Sequence, residues 1–146
     1  MLSSHRPKSL YLKLFEHYRS IGVSVIEFLS DYEVASRNAI RDIYPFALVK
    51  GCYFHFCNSL LKKLKKLKIL TDYTKSKIVN QILHMYFSLA FVPIDELDSY
   101  IEIILQEINL VDDDFVKEKL LLFNEYFHSV WIEGSTYSPN RLEPVE

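Results

Sequence analysis

The chain has 146 residues, and 49% of them are hydrophobic, which is enough to bury the core of a single domain. Three glycines and five prolines are too few for a disordered or low-complexity chain. Two cysteines are too few for a secreted disulfide scaffold, so an intracellular, reducing compartment is expected. No apolar run approaches the roughly 20 residues of a membrane-spanning helix, so a membrane protein is not expected.

The net charge of −2 conceals an uneven distribution along the chain. Residues 50–80 carry eight lysines and one acidic residue, whereas residues 81–146 carry thirteen acidic and three basic residues. A basic block followed by an acidic block predicts one surface for a polyanion and another that faces solvent or a partner.

The first half of the chain alternates between helical and extended patterns. A helix is predicted over Lys8–Ser20, and Gly22 ends it. Apolar runs at Val23–Leu29 and Phe46–Val49 predict two strands, and the spacing over Val34–Ile43 predicts an amphipathic helix between them. A strand, a helix and a strand with short connections form a βαβ unit, so the two strands should be parallel.

Asp31 directly follows the first of these strands. Open α/β sheets bind their ligands at the carboxyl ends of parallel strands, so Asp31 is a candidate metal ligand. Ser30 and Asp31 are also good helix N-caps, and Glu33 favours the first turn of a helix through its charge. The following helix is expected to keep Arg37 on its polar side.

The second half of the chain is predicted to be helical. Pro93 separates two of the helices, and Asp112-Asp113-Asp114 begins the last one. The predicted helices cover Cys52–Leu70, Lys75–Phe91, Pro93 or Asp95 to Ile108, and Phe115–Trp131. Residues 1–7 are expected to fray, residues 71–74 to break the third helix, and residues 135–146 to form an extended tail. Since two strands are a marginal sheet, the chain should belong to a larger domain.

Five motifs occur in a characteristic order and together resemble the Mutator-like (MULE) transposase domain over about residues 20–134. They are Ser-Asp-Tyr-Glu at 30–33, Asn-Ala-Ile at 38–40 with Tyr-Pro at 44–45, Lys-Gly-Cys-Tyr-Phe-His-Phe at 50–56, Leu-Ala-Phe-Val-Pro at 89–93, and the stretch from Phe127 to Gly134. The resemblance implies a partial RNase H-like core over residues 8–56, followed by an all-helical insertion over residues 57–134. The predicted class is therefore α/β and mostly helical.

The resemblance also implies a DDE set of three acids that holds two Mg²⁺ ions and cuts and joins transposon-end DNA in the nucleus. Asp31 matches the second acid, and Cys52 and His55 match the Cys-x-x-His pair of the family. His55 is a weaker candidate for a role near the substrate phosphate. The first and third acids have no match, and Glu133 is a poor substitute. The chain is thus expected to be inactive and to bind no Mg²⁺ alone. The alternative is a non-catalytic DNA- or protein-binding module derived from a transposase, with a homo-oligomer as a further option.

Other residues leave several interpretations open. The lysines of the run from Leu60 to Lys68 form either a solvated face, a contact for DNA phosphates, or a membrane- or calmodulin-type surface. These lysines are Lys62, Lys63, Lys65, Lys66 and Lys68. Cys52, His55 and Cys57 do not form a structural zinc site, because a second pair of ligands is missing. Tyr53, Phe54 and Phe56 are expected in the core, as is the single tryptophan, Trp131. A helical scaffold with no role in nucleic-acid binding is a third class.

Overall fold

The computed structural model describes residues 6–70 and 75–133, and within them the chain is mostly helical with one small sheet. The elements are α1 (Lys8–Ser20), β1 (Glu27–Ser30), α2 (Val34–Ile43), β2 (Leu48–Gly51), α3 (Tyr53–Lys66), α4 (Lys77–Ser88), α5 (Leu97–Asn109) and α6 (Asp114–Phe127). The predicted break at 71–74, the tail at 135–146 and residues 1–5 of the predicted frayed terminus lie outside the described residues. The chain divides into two compact units, Met1–His55 and Phe56–Glu146.

In the first unit, α1 ends as its sequence predicts. Gly22 adopts a φ of 84°, its N–H bonds the carbonyl of Arg19, and the N–H of Val23 bonds that of Tyr18. These hydrogen bonds satisfy the last carbonyl groups of the helix. Glycine adopts the positive φ that they require more readily than other residues do. Helix α1 packs on α2 through a core that Phe15, Ala39, Ile40 and Val49 form.

The two strands are parallel, which confirms the predicted βαβ unit. Glu27 pairs with Leu48, and Ser30 pairs with Gly51. Strand β1 is shorter than predicted and begins four residues after Val23, whereas β2 keeps the predicted length and begins two residues after Phe46. Among the described residues, each strand pairs with only one other strand. The apolar residues before β1 and β2 therefore have no strand to pair with, and they do not lengthen the sheet.

Helix α3 ends four residues earlier than the predicted end at Leu70. Lys68 adopts a φ of 60°, its N–H bonds the carbonyl of Lys65, and the N–H of Ile69 bonds that of Leu64. This is a Schellman motif, and Leu64 and Ile69, at the two positions whose apolar contact usually accompanies it, are both buried. A non-glycine residue in this position costs about 1–2 kcal/mol, so the sequence did not indicate the end.

The second unit buries one apolar stripe from each helix. The buried residues are Phe56, Leu60 and Leu64 of α3, Val79, Ile82, Leu83 and Tyr86 of α4, Leu97, Ile101, Ile104 and Ile108 of α5, and Val116, Leu120, Phe123 and Phe127 of α6. Trp131 follows α6 in a π-helical turn (His128–Ile132) and is buried, as predicted. Its ring meets Phe56 edge to face at 4.7 Å. Across the described ranges, no helix has both the length and the apolar character needed to cross a bilayer.

The first turn of α6 differs from the prediction. Asp113 caps α6, because its Oδ1 accepts the N–H groups of Phe115 at 3.0 Å and Val116 at 3.1 Å. Only Asp114 then lies in the first turn, so the three consecutive acids do not all serve the helix dipole. Short 3₁₀ turns at Leu89–Phe91 and Ile94–Glu96 flank Pro93, where a continuous helix cannot form.

Candidate site at the carboxyl edge of the parallel strands

Asp31 and Cys52 lie side by side in the fold, because each directly follows one member of the last strand pair. Ser30 and Gly51 face each other in the ladder, and the N–H of Cys52 donates to the carbonyl of Ser30 at 2.8 Å. Parallel strands bring their carboxyl ends to one edge, so the βαβ topology places both side chains there. The carboxyl edge is the candidate site.

Asp31 is exposed and accepts one local hydrogen bond. Its Oδ1 accepts the N–H of Glu33 at 3.3 Å. Helix α2 begins only at Val34, and Glu33 occupies the N-cap position, but its side chain makes no capping hydrogen bond to the helix. The predicted capping of α2 by Ser30 or Asp31 is therefore wrong, since the turn through Tyr32 separates them from the helix. The carboxylate of Asp31 faces solvent at the strand end.

Tyr32 fixes this turn through an unusual backbone conformation. Its φ is 68°, a left-handed value that costs a non-glycine residue about 1–2 kcal/mol. The ring is buried and lies directly against Gly51, where a Cβ atom would overlap it. The absence of a side chain at Gly51 thus allows the ring to cover the end of β2. Strained backbone of this kind is often found at functional sites.

Arg37 is buried beneath the turn, contrary to its predicted place on the polar side of α2. Its residue is 1% exposed, and the guanidinium carbon lies 5.3 Å from the centre of the Tyr32 ring. That arrangement is a cation–π contact, which is stronger when water is excluded. Arg37 precedes the buried Ile40 by three residues, but Val34, three residues before Arg37, is exposed, so the helical period alone did not indicate burial.

Glu33 links the turn to α1. The hydroxyl of Tyr11 donates to Oε2 of Glu33 at 2.5 Å. This hydrogen bond, with the nearby negative charge, raises the pKa of Tyr11 above its ordinary value. No local pattern predicted the contact, because 22 residues separate the partners. One carboxylate oxygen of Glu33 is therefore already occupied by the hydrogen bond from Tyr11.

Cys52 and His55 form a pair at the start of α3. A hydrogen bond with the His55 side chain, followed by contributions from backbone N–H groups, lowers the pKa of the Cys52 thiol. Cys52 is half-buried, and His55 is exposed in the first turn. Thiolates are stabilised beside histidines and at helix N-termini. The surroundings of Cys52 therefore favour its reactive thiolate form more than those of an unperturbed cysteine do. The predicted Cys-x-x-His residues are thus neighbours.

The described residues do not assemble a metal site around these groups. Within residues 6–70 and 75–133, no three His, Cys, Asp or Glu side chains are close enough to hold an ion together. Asp31 contributes one free carboxylate, whereas a pair of Mg²⁺ ions needs several. The residues present at the carboxyl edge therefore do not fit a two-metal centre.

The lysine run forms a second candidate region on the other unit. Lys62, Lys65 and Lys66 are exposed on α3, and Lys68 is exposed beyond its end. Lys63 differs, because its Nζ lies 4.7 Å from the centre of the Tyr126 ring. Four of the five predicted lysines are thus open to an anion, although Lys68 is not part of the helix.

The aromatic residues at the start of α3 only partly follow the prediction of a core position. Phe56 is buried, but Phe54 is 67% exposed and Tyr53 is also exposed. Leu61, although apolar, is exposed as well. The buried stripe is narrower than the run of apolar residues, since only Phe56, Leu60 and Leu64 recur at helical spacing toward the core.

In comparisons with known protein families, with curated proteins and with solved structures, no family model, protein or structure matches this chain. The features that indicate a function are therefore those of the arrangement of side chains itself. That arrangement is an exposed carboxylate and a Cys–His pair at one edge of a parallel strand pair, together with an exposed lysine face.

Proposed function

We propose that the chain is a fragment of a DDE-type, Mutator-like transposase with an RNase H-like core, whose complete form cuts and joins transposon-end DNA with Mg²⁺. The observation that carries the proposal is the position of Asp31 directly after β1, in parallel register with β2. Carboxylates at such strand ends are where an α/β sheet holds catalytic metals. In this proposal Asp31 is the second acid of the set, and the protein acts in the nucleus.

The neighbouring pair supports the same proposal. Cys52 and His55 follow β2 as Asp31 follows β1, so the topology brings the motif residues to one edge. His55 is exposed, and its imidazole could approach a phosphate that lies over this edge. In the complete enzyme, His55 is proposed to contact substrate rather than metal.

The fragment by itself is proposed to be inactive. One exposed carboxylate supplies too little negative charge to hold two divalent ions about 3.5–4 Å apart. Glu33 offers little help, because its Oε2 accepts the Tyr11 hydroxyl. The other two acids of the set have no counterpart in this sequence.

The coding DNA on both sides of this sequence provides the test. The proposal predicts, in frame, an upstream antiparallel hairpin that carries an aspartate and a downstream helix that carries a glutamate. Finding both would identify the remaining acids. Finding neither would contradict the proposal that an active enzyme contains this segment, and would favour the second candidate.

The second candidate is a non-catalytic DNA-binding module derived from a transposase. Its support is the exposed lysine set on and after α3, because lysines bind phosphates without reading the base sequence. Changing Lys62, Lys65, Lys66 and Lys68 to Glu should abolish retardation of a duplex DNA in a gel. Equal loss on changing Lys13, Arg19, Lys75 and Lys77 to Glu would show that only total charge matters.

A further inference from the structure

Helix α5 carries an exposed apolar stripe that no described residue covers. Tyr100, Ile103 and the C-cap residue Leu110 recur at helical spacing and are 43%, 45% and 65% exposed. Glu107 lies on the same side of the helix, and the exposed Glu102 lies on the opposite flank of the stripe. Apolar residues bordered by acids are typical of a docking surface for a basic partner.

The same unit carries the complementary surface on α3. Leu61 is 38% exposed, and Lys62, Lys65 and Lys66 are exposed to one side of it on the same helix. Lys63 is not part of this surface, because it covers the Tyr126 ring. An apolar residue bordered by lysines on α3 thus matches apolar residues bordered by acids on α5.

We propose that the basic face of α3 in one molecule docks on the acidic, apolar face of α5 in a second copy of the chain. The charge complementarity of the two faces carries this choice of partner. Because the two faces differ, the contact is head to tail. Each copy can use its α3 face on one neighbour and its α5 face on another. Such contacts either close into rings or extend into chains.

The two faces set the expected strength and salt dependence. Each consists of about two turns of helix, well below the roughly 800 Å² per partner of a standard stable interface. Exposed ion pairs contribute little individually and are screened by salt. Association should therefore require high protein concentration and low ionic strength.

Sedimentation velocity over a range of protein and salt concentrations provides the test. The wild-type chain should associate at low salt and dissociate at high salt. The variants Lys62→Glu/Lys65→Glu and Glu102→Lys/Glu107→Lys should each remain monomeric. An equimolar mixture of the two variants should associate again, because each now supplies the charge that the other lacks.

Two controls make the result decisive. Lys13→Glu/Lys75→Glu changes the net charge by the same amount at residues that belong to neither face and should leave association unchanged. Leu110→Ser should weaken association at every salt concentration, and unchanged circular dichroism would show that the variant is folded. A wild-type chain that is monomeric throughout, or a variant mixture that does not associate, would overturn the proposal.

Discussion

The contact between Tyr32 and Gly51 predicts that a single methyl group at position 51 will distort the carboxyl edge. A Cβ atom there would overlap the Tyr32 ring, so Gly51→Ala forces either the ring or the strand end to move. The ring has little freedom, because its residue is buried and its backbone is already in the left-handed region.

The size of the effect follows from the kind of contact. Overpacking in a well-packed interior costs about 1–3 kcal/mol, and the same loss is expected in the free energy of unfolding of the first unit. Tyr32→Gly removes both the ring and the cost of its φ, but it also loses the burial of a large side chain. In that background Gly51→Ala should cost almost nothing, which gives a coupling energy of about 1–3 kcal/mol.

Urea denaturation followed by far-ultraviolet circular dichroism measures all four members of this cycle. Gly22→Ala is the matched control, because Gly22 has a positive φ but no neighbouring atom within 4 Å. Its cost should come from the backbone alone and should not change with Tyr32. If Gly51→Ala is equally costly with and without the Tyr32 ring, the proposed packing at the carboxyl edge is wrong.

Three further predictions concern the caps, the thiol and the helical core. Asp113→Ala should lower the free energy of unfolding by about 0.5–2 kcal/mol, whereas Asp112→Ala should change it little; equal effects would contradict the cap. With the other cysteine replaced by serine, alkylation of Cys52 should reach half its maximal rate at a lower pH than for free cysteine, because the lowered pKa increases the thiolate. His55→Ala should shift this midpoint upward, and an unchanged midpoint would contradict the pairing. Phe123→Ala should cost about 3–5 kcal/mol, measured through fluorescence of the single, buried tryptophan; a cost below 1 kcal/mol would contradict its core position.

Local patterns predicted most of the chain's elements. The βαβ unit, its parallel pairing and the helix over Lys8–Ser20 follow from periodicity, short connections and one glycine. The burial of Trp131 follows from its place at the end of an apolar helical stripe. These features depend on neighbours within a few turns, which the sequence displays directly.

The details of the carboxyl edge depend on contacts that sequence spacing does not display. The left-handed backbone of Tyr32 exists because its ring can rest on Gly51, which is 19 residues away in the sequence. Arg37 is buried through its contact with that ring, although its charge favours the surface. The exposure of Phe54 could not be read from its hydrophobicity, because an apolar residue at the surface needs no local signal.

DNA binding measured against salt, with and without Mg²⁺, tests the proposal that the chain carries an incomplete DDE site and a lysine face that binds phosphates. Four exposed lysines predict a slope of log affinity against log salt of about −3 to −4. Mg²⁺ should only weaken binding by competition, and no strand should be cut. Mg²⁺-dependent cleavage that Asp31→Asn abolishes, or binding that is independent of salt, would contradict the account.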